Sequence, residues 1–138
     1  MPDGLDDVTL QRMIALARQA SGSAYCPYSG FAVGSAVLGE GGEIVAGCNV
    51  ENASHGLTTC AERVAVFGAV ARGVRSIRAV VVFTPTPSPT APCGACRQVV
   101  YEFGPGAEII CACDGPDLIR RPLSELLPDA FGPSDLAG

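Results

Sequence analysis

Three thiols and one carboxyl stand in two short stretches, Thr59-Cys60-Ala61-Glu62 and Pro92-Cys93-Gly94-Ala95-Cys96-Arg97-Gln98. Three protein ligands suit a catalytic zinc, because the fourth tetrahedral position stays open for water, and thiolate sulfur binds Zn²⁺ readily. Glu62 is then the natural base for that water. A helix is expected to follow each stretch, which sets Cys60 and the Cys93/Cys96 pair at helix N-termini, where backbone N–H groups and the positive dipole end favour thiolates. Arg63 and Arg97 stand beside the ligands, placed to offset the negative charge that three thiolates leave on the metal. The plainer reading of each is a surface arginine next to a motif.

Other uses of the cysteines are weaker. A structural zinc closed by Cys93, Cys96, Cys111 and Cys113 leaves Glu62 and Asn49 unexplained, and a thioredoxin-like use of Cys93 and Cys96 leaves Cys60 idle. Seven cysteines are an odd number for a disulfide framework. Cys26, Cys48, Cys111 and Cys113 read as small buried hydrophobes.

Composition bounds the partners. At 138 residues the chain reads as one domain, residues 1–138, and 48% apolar against 17% charged residues implies a well-buried core with a surface suited to subunit contacts. The net charge of −5, with every basic residue an arginine, argues against a groove that tracks nucleic-acid phosphates, so a free small molecule is the better substrate. No stretch is apolar over the length a membrane span needs, and Met1-Pro2-Asp3-Gly4 is acidic where a signal peptide is basic, so a cytoplasmic location is expected.

The elements that must position these residues follow from pattern. Asp6 or Asp7 can cap a helix to about Ala20, with Leu10, Met13, Ala17 and Ala20 on one face. The Gly/Pro/Ser-rich connection from Ser21 to Gly34 carries Tyr25, Tyr28 and Phe31, much aromatic surface for a loop, and Phe31 reads equally as a core anchor or a pocket wall. Phe31–Leu38 and Ile44–Val50 form an antiparallel pair around Gly39–Glu43, with strand alternation carrying Asn49 and Glu51 onto one face, an amide beside a carboxylate suited to a sugar diol. Helices over Cys60–Ala71 and from Cys93 to near Gly104 alternate with strands over Ile77–Phe83 and Ala107–Cys113, and Leu123–Leu127 forms a short helix. Phe131 and Leu136 are left uncovered unless something packs on them. The order predicts a mixed sheet between helices, an α/β, three-layer αβα sandwich.

Cys-x-Glu followed by Pro-Cys-x-x-Cys resembles the zinc-dependent nucleoside deaminases. Tyr25-Cys26-Pro27-Tyr28-Ser29-Gly30-Phe31-Ala32-Val33-Gly34, Gly47-Cys48-Asn49-Val50-Glu51-Asn52-Ala53-Ser54 and Leu126-Leu127-Pro128-Asp129-Ala130-Phe131-Gly132-Pro133 extend the resemblance to the short, three-cysteine cytidine deaminases over nearly the whole chain. The resemblance implies a five-stranded sheet, one Zn²⁺ on Cys60, Cys93 and Cys96, and hydrolysis of cytidine and deoxycytidine with Glu62 shuttling protons. It further implies that Phe31 flanks the nucleoside, that Asn49 and Glu51 hold the ribose, and that Arg63 supports the thiolates. A homotetramer follows, in which Phe131 stacks on the base in a neighbour's site and the Ala53–His55 segment reaches a neighbour's ligand. The family commonly has tyrosine where His55 stands, so His55 is open between a sugar contact and a plain surface residue. The Ala61 N–H, at a helix start, can bind the base 2-carbonyl, and the Ala91 carbonyl can receive ammonia. A deaminase of another small base or nucleoside analogue remains the nearest alternative.

Overall fold

The computed structural model describes residues 5–136. The acidic Met1–Gly4 stretch lies outside them. Helix α1 spans Asp7–Ser21, capped by Asp6, whose Oδ1 accepts the Thr9 N–H at 2.7 Å. Strands β1 (Gly34–Gly39) and β2 (Ile44–Cys48) form the antiparallel hairpin, helix α2 covers Ala61–Ala71, and β3 covers Ile77–Thr84. Helix α3 (Gly94–Phe103), strands β4 (Glu108–Cys113) and β5 (Ile119–Pro122), and short helices α4 (Leu123–Leu126) and α5 (Pro133–Leu136) complete the chain.

The sheet order is β2-β1-β3-β4-β5, with only β3 and β4 parallel. That parallel pair follows from the α3 crossover, which a strand–helix–strand sequence requires. Both faces of the central strands are apolar. Val80, Val82, Ile109 and Cys111 face a core shared with Ala65, Val66 and Val100 of α2 and α3. Val81, Phe83, Ile110 and Ala112 alternate onto the other face, against Leu10, Met13 and Ala17 of α1.

Two glycines let the layers close. A Cβ at Gly34 would stand 1.8 Å from the Ala17 carbonyl oxygen, and one at Gly47 would stand 2.6 Å from the Ala65 amide nitrogen. The second contact seats α2 directly on β2 and so fixes where the start of α2 falls.

Two strand ends and one whole strand differ from the sequence expectation. β1 begins at Gly34 rather than Phe31, and β2 stops at Cys48 rather than Val50. The chain there leaves the ladder because Val50 bridges instead to Tyr25 and Thr59, drawing the 25–31 loop and the approach to α2 together. β5, Ile-Arg-Arg-Pro, escaped the pattern analysis, since four half-charged residues carry no alternation signal. It is held at the sheet edge by β4 and by an Arg120–Glu108 ion pair.

Candidate active site

Both helices that follow a thiol stretch begin where the sequence places them. Cys60 is the N-cap of α2 and Cys93 the N-cap of α3, each in extended backbone, and the Cys93 sulfur accepts the Cys96 N–H at 3.5 Å. One turn into α3, Cys96 turns its sulfur back to the same point. The Sγ atoms of Cys60 and Cys93 are 3.9 Å apart, those of Cys93 and Cys96 3.3 Å, and all three lie within 4.8 Å of one another. Tetrahedral zinc with sulfur at ~2.3 Å requires S···S separations of ~3.8 Å, so the donor set fits the ion. Among the described residues this is the only such group of metal-ligating side chains. Cys111 is buried in the core, and Cys113 points its sulfur at the carbonyls of Pro87, Gly115 and Asp117, so the four-thiolate alternative does not assemble.

The electrostatics favour a thiolate at Cys60. A hydrogen bond with Cys96, aided by the Arg63 guanidinium, brings the Cys60 thiol down to about 5, and that same hydrogen bond, together with burial, pushes the Cys96 thiol up. Arg63 Nη2 donates to Cys60 Sγ at 3.3 Å, while its buried Nε has no hydrogen-bond partner. A guanidinium held in this way is placed for its charge, which a cluster of anionic sulfurs stabilises. Arg97 does something different. Its Nε donates to the Pro92 carbonyl and its Nη1 to that of Leu126, so it fastens the loop before Cys93 to the end of α4.

A cavity of about 310 Å³ opens on the sulfurs, lined by Cys60, Ala61, Glu62, Cys93 and Ala91 together with Phe31, Asn49 and Glu51. Burial, with the charge of Cys60 adding to it, raises the Glu62 carboxyl above its ordinary value. Asn49 is 8% exposed, its Oδ1 accepting the Val33 N–H and its Nδ2 donating to the Phe31 carbonyl. Glu51 accepts the Tyr28 and Ser29 N–H groups on Oε1 and the Ser29 hydroxyl on Oε2, and hydrogen bonding from Ser29 holds its carboxyl below the ordinary value. Both residues therefore shape the 28–33 loop, in addition to facing the cavity.

Ala53, His55 and Phe131 do not line this cavity. His55 meets the Tyr28 ring edge-on at 5.8 Å, and Phe131 is 58% exposed. Ser29, Val33, Thr58, Val82, Thr84 and Thr90 line it without having been singled out in the sequence. Ser29 and Val33 fall within the Tyr25–Gly34 motif, whereas Thr58 closes the short turn before Cys60, Thr84 ends an apolar strand and Thr90 lies in a proline-rich loop, where nothing in spacing marks them.

Residues 7–113 match the family described as the cytidine and deoxycytidylate deaminase zinc-binding region. The chain is 44% identical over 129 residues to a cytidine deaminase of Sporosarcina psychrophila, covering 93% of this chain and 95% of that one. It is 46% identical over 132 residues to the cytidine deaminase of Mycobacterium tuberculosis, covering 96% of each. A crystal structure of cytidine deaminase from Burkholderia pseudomallei superposes with a TM-score of 0.84 at 46% identity, over 88% of this chain and 98% of that chain. With the thiol cluster, the adjoining carboxyl and the five-stranded sheet all in place, the chain belongs to the zinc-dependent cytidine deaminases.

Proposed function

We propose that the chain hydrolyses the 4-amino group of free cytidine and deoxycytidine, giving uridine and deoxyuridine with release of ammonia, and that residues 1–138 form one catalytic domain. The observation that carries this is the convergence of Cys60, Cys93 and Glu62 on a cavity of nucleoside scale that also holds Phe31, Asn49 and Glu51. When bound, zinc supplies a water acidified enough to act as nucleophile near neutral pH. As a water oxygen adds to C4, Glu62 would take the proton released and deliver it to ring N3. Glu62 then moves a second proton to the amine, the C4–N bond breaks, and ammonia departs as the 4-carbonyl forms. The Ala61 N–H holds the 2-carbonyl of the base, and the Ala91 carbonyl lies on the wall that receives ammonia.

The polar inventory supports the sugar assignment. A carboxylate offers about four lone-pair sites, and three contacts from Tyr28 and Ser29 occupy most of them on Glu51, leaving room on Oε2 for one hydroxyl. Asn49 retains one amide proton beyond its bond to Phe31. Phe31 gives the apolar wall beside them.

The active form in this reading is a homotetramer, with Phe131 and the Ala53–His55 segment serving a neighbour's cavity. Tail placement supports it: Gln98 Nε2 donates to the Phe131 carbonyl at 2.8 Å, and Gly132 packs so tightly on Tyr101 that a Cβ would stand 2.5 Å from the ring. The backbone is thus pinned while the phenyl ring stays exposed. The reading also includes a cytoplasmic location, where a reducing milieu keeps thiol ligands free; all seven cysteines are unpaired. Cell fractionation checks that location, and recovery outside the cytoplasm would remove it.

One assay tests the reaction. Cytidine absorbance should fall when the zinc-loaded protein is added, stop falling after chelation, and resume on adding zinc. A zinc-loaded protein that leaves cytidine and deoxycytidine unchanged would overturn the proposal.

A further inference from the structure

The cavity wall holds one buried polar side chain that the mechanism above does not use. Thr84, at the end of β3, is 1% exposed and lines the cavity with Ala91, Cys93 and Glu62. Its Oγ1 lies 2.7 Å from Thr86 Oγ1, which in turn donates to the Ser88 carbonyl at 2.7 Å. A hydroxyl has one proton. The Thr86 proton is committed to Ser88, so the Thr84 proton must go to Thr86. Thr84 is thereby left with lone pairs only for any further partner.

The chain of bonds is rigidly supported. Pro85, Pro87 and Pro89 alternate with its members and fix the backbone φ at each step, and the Asp114 N–H donates to the Thr86 carbonyl. Turning either hydroxyl round gives up one of these two hydrogen bonds.

We propose that Thr84 reads the substituent at position 4 of the base, accepting an N–H from the amine of the substrate, a contact that the product has no proton to make. This rests on the deaminase reading, which brings position 4 to the sulfurs and Glu62, beside the segment that runs from Thr84 to Cys93. An amine offers protons to a fixed acceptor, whereas a 4-carbonyl offers none, so the site favours substrate over product. Sites that hydrogen-bond one substituent discriminate strongly against its counterpart because a buried polar group is then left unpaired.

The test measures equilibrium affinity for cytidine and uridine in a zinc-loaded Glu62→Gln background, where turnover does not interfere, with zinc content and melting temperature recorded for each protein. Thr84→Val should weaken cytidine about tenfold and leave uridine unchanged or tighter, collapsing the preference. Thr84→Ser should restore it. Thr86→Val frees the Thr84 proton to point into the cavity, so uridine should tighten by about fivefold while cytidine weakens. Equal changes for both nucleosides in Thr84→Val, or an unaltered ratio in a folded Thr86→Val, would overturn the assignment. Should Thr86→Val fail to fold, the Thr84→Val and Thr84→Ser pair decides alone. A native protein inactive on cytidine strikes at the deaminase reading, whereas an active one with an unmoved affinity ratio strikes at Thr84 only.

Discussion

The two ends of the cavity are built in different ways. At the metal end, each ligating stretch sits at the first residue of a regular helix, α2 or α3, and α2 is seated on β2 at Gly47 with no room for a side chain. At the sugar end, the walls are irregular: the 25–33 segment is held by Asn49 and Glu51 side chains and by two isolated bridges at Val50. Chemistry that tolerates little displacement stands on helix starts, because their N–H groups and dipole are fixed by the ladder behind them. In the proposed reading, the sugar would be recognised by loops whose shape depends on the same Asn49 and Glu51 side chains, so a substitution there would alter both wall and contact.

The contrast sharpens most at Glu62. Glu62→Gln keeps the buried shape and removes the proton shuttle, and general acid–base catalysis alone is typically worth ~10²–10⁴-fold. Because the same carboxyl serves several steps, turnover should fall by at least that range, while zinc content, melting temperature and cytidine affinity stay close to native. A variant retaining a tenth of the activity would take Glu62 out of the mechanism.

A smaller loss is expected at the sugar end. Alanine at Asn49 leaves the Phe31 carbonyl and the Val33 N–H without partners, and unpaired buried polar groups typically cost ~1–3 kcal/mol, whereas alanine at Glu51 removes contacts to loop N–H groups that water can replace. The expected signature is a raised KM for cytidine, with a smaller effect on free cytosine, which lacks the sugar. Equal effects on both compounds would show that these residues only hold the loop, and would erase the functional half of the contrast.

How far the sequence reveals each end follows the same division. Cys60, Glu62, Cys93 and Cys96 are readable because ligand type, spacing and helix-start position are local properties. The central strands are readable because runs such as Ile77–Phe83 are apolar on both faces. Asn49 and Glu51 were expected on one face of a continuing strand, yet β2 has ended by Cys48 and they reach the cavity from irregular chain. Arg97 illustrates the limit: its carbonyl partners lie at Pro92 and at Leu126, and no local rule links a helix arginine to a residue 29 positions on. Thr84 is silent for a related reason, since its fixed polarity arises only when Thr86 and Ser88 fold back beside it.

The smallest effect should come from the residue most distant from the chemistry, Phe131. Its ring is exposed on the isolated chain although the surrounding tail is pinned to α3, and in the homotetramer proposed above it would stack on a base in a neighbour's cavity. Aromatic stacking contributes ~0.5–1.5 kcal/mol beyond buried area, and Phe131→Ala should therefore raise KM several-fold with zinc and kcat nearly unchanged. The chain contains no tryptophan, which allows a direct reading of where this ring lies. In the Phe131→Trp variant, carried in the Glu62→Gln background, nucleoside should change the indole fluorescence at concentrations where the protein sediments as an oligomer. The response should vanish as dilution produces monomers. A response that persists in the monomer would place the ring over its own cavity, and none at saturating nucleoside would remove it from the site; either result leaves a sugar end completed without help from another chain.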